Sequence, residues 1–294
     1  MVVDPLLGRV VGGTWRIDAY VARGSMGTVY RGANVRIGTP IAVKVLNPEF
    51  LSDPLIRERF RREAMVSARV SSNFLVRVFD LCTEADGYAF LIMEWLSGMS
   101  LADYLRARPR LYVGEVVTLV SQVGEGLESA HRAKIIHRDI KPGNIFLERA
   151  GAGDELVPKI VDFGLSKIIE AGSQLTAAAT MMGTPHYMPV EQFNDSAAVD
   201  ARADVYALGV IAYEALAGRR PFRDGSPVQI LNDIATRNPD PLPDYVPTAV
   251  SQVVMQALAK EREERWQSAS DFATALRQAA RDADVAARPL LRLA

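Results

Sequence analysis

The pattern of apolar residues changes character part-way along the chain, and this change limits the folds that the chain can adopt. From Trp15 to about Trp95, short β-branched and aromatic runs are separated by glycines, as in WRIDAYVARG, GTVYRGAN, PIAVKVL, FLVRVFDLC and YAFLIMEW. This spacing is typical of a strand meander. After Gly98 the apolar residues recur at helical spacing, as in VGEVVTLVSQVGEGLESAHR and DVYALGVIAYEALAG. The first half is therefore predicted to be mostly sheet and the second half mostly helix.

Two helix starts can be located from their capping residues. Ser52 and Asp53 offer an N-cap and Pro54 suits a first turn, so the following LIRERFRREAMVSARV is predicted to be a helix inside the sheet-rich half. Near the other end, SASDFATALRQAARDA begins with serine and has helical spacing. The sequence thus predicts one helix among the strands and another near the other end of the chain.

Composition and charge exclude several classes of function. Among 294 residues, 34 basic and 35 acidic side chains leave a formal net charge of -1. No overall positive field would attract nucleic acid or an anionic membrane, so no nucleic-acid partner is expected. The single cysteine, Cys82, cannot form an internal disulfide, and no spacing suits a zinc site. A reducing, cytoplasmic location is the expectation.

Targeting and membrane signals are also missing from the sequence pattern. The first residues, MVVDPLLGRVVGG, lack a basic region followed by an apolar block, and no apolar run reaches the ~18 residues that a span requires. The best candidate, VYALGVIAYEALAG, contains Glu214 and is predicted to be a buried helix. No membrane span is expected in this chain.

The segment HRDIKPGN, residues 137–144, concentrates polar groups where a helix cannot continue. It presents His137, Arg138, Asp139, Lys141 and Asn144 around a proline and a glycine. A helical pattern precedes it and short strand-like runs, NIFL and KIVDF, follow it. The segment is therefore predicted to be a loop between a helix and a hairpin, a position where functional residues are often held by a rigid scaffold.

Two features of the sheet-rich half have both a structural and a functional interpretation. Gly24 and Gly27 in VARGSMGTVY can allow backbone N–H groups to approach a phosphate, but a glycine turn in a hairpin is more often structural. Lys44 interrupts the apolar run IAVK. It is either the solvent-facing residue of an alternating strand or a buried ammonium that needs an acidic partner, for which Glu63 is the candidate.

In chain order these segments resemble the eukaryotic-type (Hanks-type) serine/threonine protein kinases, and most of all their bacterial branch. The resemblance covers roughly residues 14 to 280. It rests on Lys44 and Glu63, Met93-Glu94-Trp95-Leu96, HRDIKPGN, Asp162-Phe163-Gly164, GTPHYMPVE, Asp204 and Arg265. It implies an α+β, bilobal protein-kinase-like fold with a small, mainly antiparallel β N-lobe that contains one key helix, and a larger, mainly α-helical C-lobe. The implied boundaries are 1–13 for an N-terminal extension, 14–96 and 97–280 for the lobes, and 281–294 for a C-terminal tail.

The resemblance implies a phosphoryl transfer from ATP with Mg²⁺, or alternatively Mn²⁺. Catalytic roles then fall on Asp139 as the base toward the substrate hydroxyl, Lys141 at the γ-phosphate, and Lys44 at the α/β-phosphates with Glu63 orienting it. Asn144 and Asp162 would be the metal ligands. The implied nucleotide-binding residues are Ala22, Gly24, Ser25, Gly27, Val29, Ala42, Lys44, Met93, Glu94, Leu96 and Phe146.

The substrate class and the control of activity follow from the same resemblance. Lys141 and Thr184, the latter in GTPHY, resemble the sequence pattern of kinases that act on serine or threonine of proteins. Thr176 and Thr180 are candidate phosphorylation sites in the segment between Asp162 and Glu191. Arg138 is expected to pair with a phosphate there, with Arg59 and Lys167 as further partners. A homodimer for autophosphorylation is left open.

Structural roles are expected for three further residues. His137 is expected to pack beside Phe163 and hydrogen-bond the backbone and not to transfer protons. Asp204 is expected to brace the catalytic loop from a buried helix, and Arg265 to pair with Glu191.

Three positions depart from the family pattern. Ala22 replaces the first glycine of the nucleotide loop, Pro189-Val190-Glu191 replaces Ala-Pro-Glu, and Ser72-Asn73-Phe74 replaces His-Pro-Asn. None of them removes the lysine, the base or a metal ligand. Two alternatives stay open: a catalytically weak, nucleotide-binding pseudokinase or scaffold, and a small-molecule kinase with the same general fold.

Overall fold

The computed structural model describes residues 4–24, 27–46, 70–84, 86–151, 153–162, 185–194, 199–291 and 293. The described residues form two compact units. The first unit comprises the described residues up to 71 together with those in 76–96, and the second comprises 72–75, the described part of 97–162 and those from 185 onward. The predicted helix after Pro54 lies outside the described residues.

The first unit is built on a six-stranded antiparallel sheet with the order β1-β2-β3-β4-β6-β5. Its strands are β1 (Val10–Val11), β2 (Trp15–Arg23), β3 (Gly27–Asn34), β4 (Pro40–Leu46), β5 (Val78–Thr83) and β6 (Ala89–Glu94). The predicted strand runs are confirmed, with two differences. Strand β5 begins at Val78, later than the run FLVRVFDLC suggested, and it lies outside β6 because β6 pairs directly with β4.

The pleat of this sheet separates two kinds of face. Ile41, Val43 and Val45 of β4 point into an apolar core, which also contains Tyr30 and Ile92. Ala42 and Lys44, the alternate residues of β4, lie on the opposite face. Both faces of β4 are buried, so the strand reads as a continuous apolar run that only Lys44 interrupts.

The second unit is mainly helical, as predicted. Its helices are α1 (Leu101–Ala107), α2 (Val113–Arg132), α3 (Val190–Asn194), α4 (Arg202–Ala217), α5 (Pro227–Thr236), α6 (Thr248–Ala257) and α7 (Ala269–Asp282). Ser268 caps α7 by accepting a hydrogen bond from the Asp271 N–H at 3.0 Å, which confirms the predicted helix start. Helix α4 is buried along almost its whole length, as expected for VYALGVIAYEALAG.

A small antiparallel sheet lies beside these helices, with the order β10-β9-β8-β7. Its strands are β7 (Gly98–Ser100), β8 (Ile145–Arg149), β9 (Glu155–Ile160) and β10 (Leu290–Leu291). Strands β8 and β9 form the hairpin predicted from NIFL and KIVDF. Strands β1 and β10 are too short to show periodicity, and sequence reasoning missed both.

No helix within the described parts of the chain is long and apolar enough to span a membrane.

Candidate active site

The loop at residues 137–144 lies between helix α2 and strand β8, where the sequence placed it. It closes on a short 3-10 turn, Pro142–Asn144, before β8 begins at Ile145. Proline at the first position of that turn lacks the N–H that would be unpaired there in any case. The loop therefore has a defined backbone that can hold several polar side chains.

Asp139 is held by two neighbours from its own loop. The Lys141 Nζ donates to both carboxylate oxygens, at 2.9 Å and 2.7 Å, and the Asn144 Nδ2 donates to Oδ2 at 3.0 Å. The Asn144 Nδ2 also donates to the backbone oxygen of Asp139 at 2.7 Å. About a third of the Asp139 side chain, 31%, remains exposed. The carboxylate is thus oriented by charge-assisted bonds and still accessible to another molecule.

His137 is fully buried, and its hydrogen bonds identify its tautomer. The backbone N–H of Asp139 donates to Nδ1 at 3.2 Å, so Nδ1 carries no proton. Nε2 lies 3.0 Å from the backbone oxygen of Val161 and must therefore be the donor. A neutral imidazole with both nitrogens engaged by the backbone is a structural group, as predicted. Its expected neighbour Phe163 lies outside the described residues.

Asp204 on helix α4 holds the loop at residues 137–144 through hydrogen bonds, as the family resemblance implied. Its carboxylate accepts the backbone N–H groups of His137 and Arg138, both at 2.8 Å, and lies 2.7 Å from the Nε2 of His131. Arg138 has a left-handed φ of 65°, a conformation that costs energy in a non-glycine residue and that these bonds stabilise.

The electrostatics of Asp204 match this role. Burial pushes the pKa of the Asp204 carboxyl upward, but the hydrogen bond from His131 and the N–H of His137 outweigh it, so that the pKa lies below its ordinary value. Sequence reasoning missed His131, whose position at the end of an apolar helix gave no signal of this contact.

The two predicted metal ligands lie at one end of the β8–β9 hairpin. Asn144 immediately precedes β8, and the Val161 N–H donates to the Asn144 backbone oxygen at 2.9 Å. Asp162 follows Val161 and has a left-handed φ of 65°. Because its Nδ2 is turned toward Asp139, Asn144 presents Oδ1 elsewhere, and that oxygen accepts no hydrogen bond from the described residues. One carboxylate and one amide oxygen fit the hard ligand preference of Mg²⁺.

In the first unit, Lys44 shares one face of the sheet with four of the predicted nucleotide-binding residues. Lys44 lies opposite Val29, and Ala42 lies opposite Met93. Ala22 lies opposite Val29 in turn. Lys44 is buried, at 4% exposure, so the solvent-facing interpretation is wrong. Small and apolar side chains around one ammonium make a face that fits a nucleotide.

Gly24 and Gly27, at the facing ends of β2 and β3, differ in how closely other backbone atoms approach them. The Gly24 N–H donates to the Gly27 oxygen at 2.8 Å. A Cβ on Gly27 would lie 2.2 Å from the backbone oxygen of Val45, whereas a Cβ on Gly24 would meet nothing closer than 3.7 Å. Gly27 is therefore required by strand packing, whatever it contacts in addition.

The other predicted site residues lie in the first unit, in the second unit, or outside the described residues. Glu94 and Leu96 lie at and just after the end of β6 in the first unit, and Phe146 lies on β8 in the second. The remaining predictions fall outside the described residues; they are Ser25, Arg59, Glu63, Gly164, Lys167, Thr176, Thr180 and Thr184.

Residues 15–278 match the family described as "Protein kinase domain". The chain belongs to the protein kinase family. The kinase is similar to Serine/threonine-protein kinase Pkn1 of Myxococcus xanthus, with 40% identity over 279 residues, which is 94% of this chain and 39% of that protein. It is also similar to Serine/threonine-protein kinase PknA of Mycobacterium tuberculosis, with 35% identity over 93% of this chain and 63% of the relative.

The fold of the kinase has a counterpart among solved structures. The PknI kinase domain of Mycobacterium tuberculosis superposes with a TM-score of 0.71 and 26% identity, covering 95% of this chain and 100% of the solved chain. The predicted bilobal class, with a sheet-rich N-lobe and a helical C-lobe, is confirmed. The kinase spans less than two thirds of Pkn1 and PknA, whose names place them in the serine/threonine class.

At the departure Pro189-Val190-Glu191, two side chains of helix α3 form hydrogen bonds to residues far away in the sequence. Glu191 pairs with Arg265 through two hydrogen bonds of 2.6 Å and 2.9 Å, which confirms the predicted pair. Gln192, which sequence reasoning did not assign, donates from Nε2 to the backbone oxygen of Arg138 at 2.7 Å. Helix α3 is thus bonded both to Arg265 and to the loop at residues 137–144.

The neighbouring turn, Pro185–Tyr187, is fixed by side chains from the α4–α5 region. The Tyr187 hydroxyl donates to the Glu214 Oε2 at 2.6 Å, and the His186 Nε2 lies 3.0 Å from the Asp224 Oδ1. Burial raises the pKa of the Glu214 carboxyl. Burial and the nearby Arg220 lower the pKa of His186. These contacts explain why Glu214 interrupts an otherwise apolar helix.

The departure at Ser72-Asn73-Phe74 forms a turn of its own. The Phe74 N–H donates to the Ser72 hydroxyl at 3.2 Å. The Phe74 oxygen accepts the Ile160 N–H at 2.8 Å, and Leu75 forms a parallel bridge with Ile160. Ser72 supplies by a side-chain turn the chain reversal that a proline would otherwise favour.

Breaking the Glu191–Arg265 pair from one side is expected to be costly. The Arg265 side chain is fully buried, so Glu191→Gln leaves its charge without a carboxylate and should reduce the free energy of unfolding by about 3–5 kcal/mol. Urea denaturation measures this loss. Asp240→Asn, which breaks the exposed pair with Arg219, is the matched control and should cost less than about 1 kcal/mol. Equal losses for both variants would contradict the assignment.

Proposed function

We propose that this kinase transfers the γ-phosphoryl group of ATP to serine or threonine hydroxyls of protein substrates. The observation that carries the proposal is the geometry of Asp139. Its carboxylate is oriented by Lys141 and Asn144, is partly exposed, and stands on a loop anchored by the buried Asp204. This is the arrangement that a base needs if it is to accept a proton from an incoming hydroxyl.

The proposed roles of the chain's residues follow from their positions. Asp139 accepts a hydrogen bond, and then the proton, from the substrate hydroxyl as its oxygen attacks the γ-phosphorus of ATP, while the bond from that phosphorus to the β–γ bridging oxygen breaks and ADP leaves. Lys141, already 2.7 Å from the Asp139 Oδ2, supplies a positive charge beside the transferring group. Lys44 binds the α- and β-phosphates through its ammonium, and Glu63 orients it. Catalysis by such groups consists mainly of positioning and of charge stabilisation.

The proposed metal site consists of Asn144 and Asp162. These two residues would hold Mg²⁺, which would supply positive charge toward the phosphates. The chain's contribution is to fix the two ligands on one hairpin end through the bond between the Val161 N–H and the Asn144 oxygen, 2.9 Å long. Mn²⁺ has similar oxygen preferences and is the alternative metal.

The serine/threonine assignment draws on the names of Pkn1 and PknA and on Lys141, which lies two residues after the proposed base. The turn at Pro185–Tyr187, fixed by Glu214 and Asp224, supports a platform for a peptide and has no evident use for a small metabolite. The alternative of a nucleotide-binding scaffold without transfer is not favoured, because the named relatives are serine/threonine-protein kinases.

The test is incubation of the kinase with γ-labelled ATP and Mg²⁺, with and without a basic protein substrate, followed by identification of the labelled amino acids. The proposal expects label on serine or threonine of protein. Label on tyrosine alone, or transfer only to a small hydroxyl compound, would contradict it. ATP binding without any transfer would favour the scaffold.

Phosphorylation of the segment between Asp162 and Glu191 is proposed to control activity. Replacing Thr176 and Thr180 together by alanine should lower the transfer rate about tenfold or more, because Arg138 then lacks the phosphate that orders the segment. The initial rate toward the protein substrate measures the effect. Thr274→Ala, on helix α7, is the control variant. An unchanged rate for the double variant would rule out regulation by phosphorylation of Thr176 and Thr180.

The location, the lobe boundaries and the oligomeric state of the kinase are also proposed. The single cysteine, Cys82, is buried in the first unit and fits a cytoplasmic kinase. Lobes of 14–96 and 97–280 are proposed as the functional halves, with flanking segments on either side. Autophosphorylation through a homodimer is proposed as the route by which Thr176 and Thr180 become modified.

A further inference from the structure

Residues 285–291, here called the C-terminal strap, fold back onto the second unit after helix α7 ends. The Val285 N–H returns to the Ala280 oxygen at 2.8 Å, and Asp284 adopts a left-handed φ of 55° at the reversal. The strap then adds strand β10 to the outer edge of β9, with Leu290 opposite Leu156. Leu290 is fully buried, whereas Leu291 is 47% exposed. The strap begins after residue 278, where the family match ends.

The strap is packed closely on the first turn of helix α2. The Arg288 N–H donates to the Gly114 oxygen at 3.0 Å. A Cβ on Gly114 would lie only 2.2 Å from the Ala286 oxygen, so the strap occupies the space of a side chain at that position. The guanidinium of Arg288 also lies 5.6 Å from the centre of the Tyr112 ring.

A buried polar network receives the end of the strap. The Tyr104 hydroxyl donates to the Leu291 backbone oxygen at 2.9 Å and accepts from Arg108 at 3.3 Å. Arg108 is in turn held by two hydrogen bonds to the buried Glu115, at 2.6 Å and 2.8 Å. A satisfied network of this kind fixes one arrangement of the chain.

The strap completes the hairpin that carries the proposed metal ligands. Strands β8 and β9 pair over five residues, and the Ala150 N–H closes their loop by donating to the Glu155 oxygen at 3.0 Å. The Ile160 N–H bonds the Phe74 oxygen on the outer edge of β9, so the missing N–H of Pro158, two residues earlier, leaves that edge and not the β8 ladder without a donor. On its outer edge β9 is held by Leu75 opposite Ile160 at one end and by Leu290 opposite Leu156 at the other. A slip of one residue in this hairpin would displace Asp162 relative to Asn144.

We propose that Leu290 is a positioning residue for phosphoryl transfer: through the strap it holds the β8–β9 register and thereby the spacing of Asn144 and Asp162. The proposal rests on the proposed kinase function only for its effect on rate. Its structural part, the coupling between the strap and the far end of the hairpin, is independent of activity. Displacement of the strap would weaken the metal site without touching a ligand.

The experiment compares Leu290→Asp with Leu291→Asp in the full chain, since the two residues are adjacent and alike except for burial. The first readout is amide hydrogen exchange at Val161, whose N–H bonds Asn144, with Val210 in the middle of helix α4 as the reference for global unfolding. Leu290→Asp should speed exchange at Val161 about tenfold and leave Val210 unchanged. Leu291→Asp should match the wild type, and Leu290→Met should restore slow exchange.

The second readout is the Mg²⁺ concentration that gives half-maximal transfer, which should rise about three- to tenfold in Leu290→Asp with little change in the KM for the protein substrate. Gly114→Ala displaces the strap from the side of α2 and should reproduce both effects, even if Leu290→Asp fails to fold. Slow Val161 exchange in a variant whose strap amides exchange fast would overturn the proposal. If the wild type transfers no phosphate, the exchange comparison still decides it.

Discussion

Replacing Asp139 by asparagine is expected to lower the turnover number by about 10²–10⁴-fold, because the amide cannot accept the proton of the substrate hydroxyl. The substitution keeps the size of the side chain. It also leaves Lys44 and Asp162 in place, so ATP binding should stay within about threefold of the wild type. Steady-state kinetics and calorimetric ATP titration measure the two quantities separately.

The control for Asp139→Asn is Asp244→Asn, which makes the same chemical change at an exposed position before helix α6. That variant should behave like the wild type. If Asp139→Asn retained a turnover number within about threefold of the wild type, Asp139 would not be the base.

Replacing Asp204 by alanine is expected to have a large effect on both stability and turnover. Three donors lose their acceptor at once: the N–H groups of His137 and Arg138 and the Nε2 of His131. Because these groups are buried, the free energy of unfolding should fall by about 3–5 kcal/mol, and the turnover number should fall as the loop shifts. Asp204→Asn retains one acceptor oxygen and should lose less. Urea denaturation of both variants measures the order.

The loss at Asp204 should also depend on pH. The folded-state pKa of Asp204 lies below its unfolded value of about 3.9, so the stabilisation is complete above that value and disappears as pH falls through the folded value. The stability difference between the wild type and Asp204→Ala should therefore narrow in strong acid. Asp240→Ala, which breaks the exposed pair with Arg219, should cost less than about 1 kcal/mol. A similar loss for both variants would contradict the anchoring role.

Local sequence signals predicted much of this kinase. The strand runs and the capped helices follow from periodicity and from residues such as Ser268, which act within a few positions of themselves. The loop at 137–144 was identified because proline and glycine interrupt a helix among polar groups. The roles of its residues came from the family resemblance and not from spacing.

Contacts between distant parts of the chain were harder to predict. Burial of Lys44 depends on pairing with both Val29 and Leu91, and nothing in IAVK distinguishes that outcome from an exposed lysine. Likewise, Gln192 reaches Arg138 across 54 positions, and the Tyr104 hydroxyl reaches Leu291 across 187. Such partners are selected by tertiary packing, which neither propensity nor hydrophobic period encodes. The bracing of the loop by Asp204 and the pairing of Glu191 with Arg265 were predicted, because the family resemblance supplied both partners.

A paired transfer reaction with wild type and Asp139→Asn tests whether this kinase phosphorylates proteins with Asp139 as the base. Each protein is incubated with γ-labelled ATP, Mg²⁺ and a basic protein substrate, and the labelled residues are located by mass spectrometry. Phosphoserine or phosphothreonine is expected with the wild type and almost none with Asp139→Asn, although both proteins bind ATP. Equal labelling by the two proteins, or ATP binding without labelling by either, would contradict it.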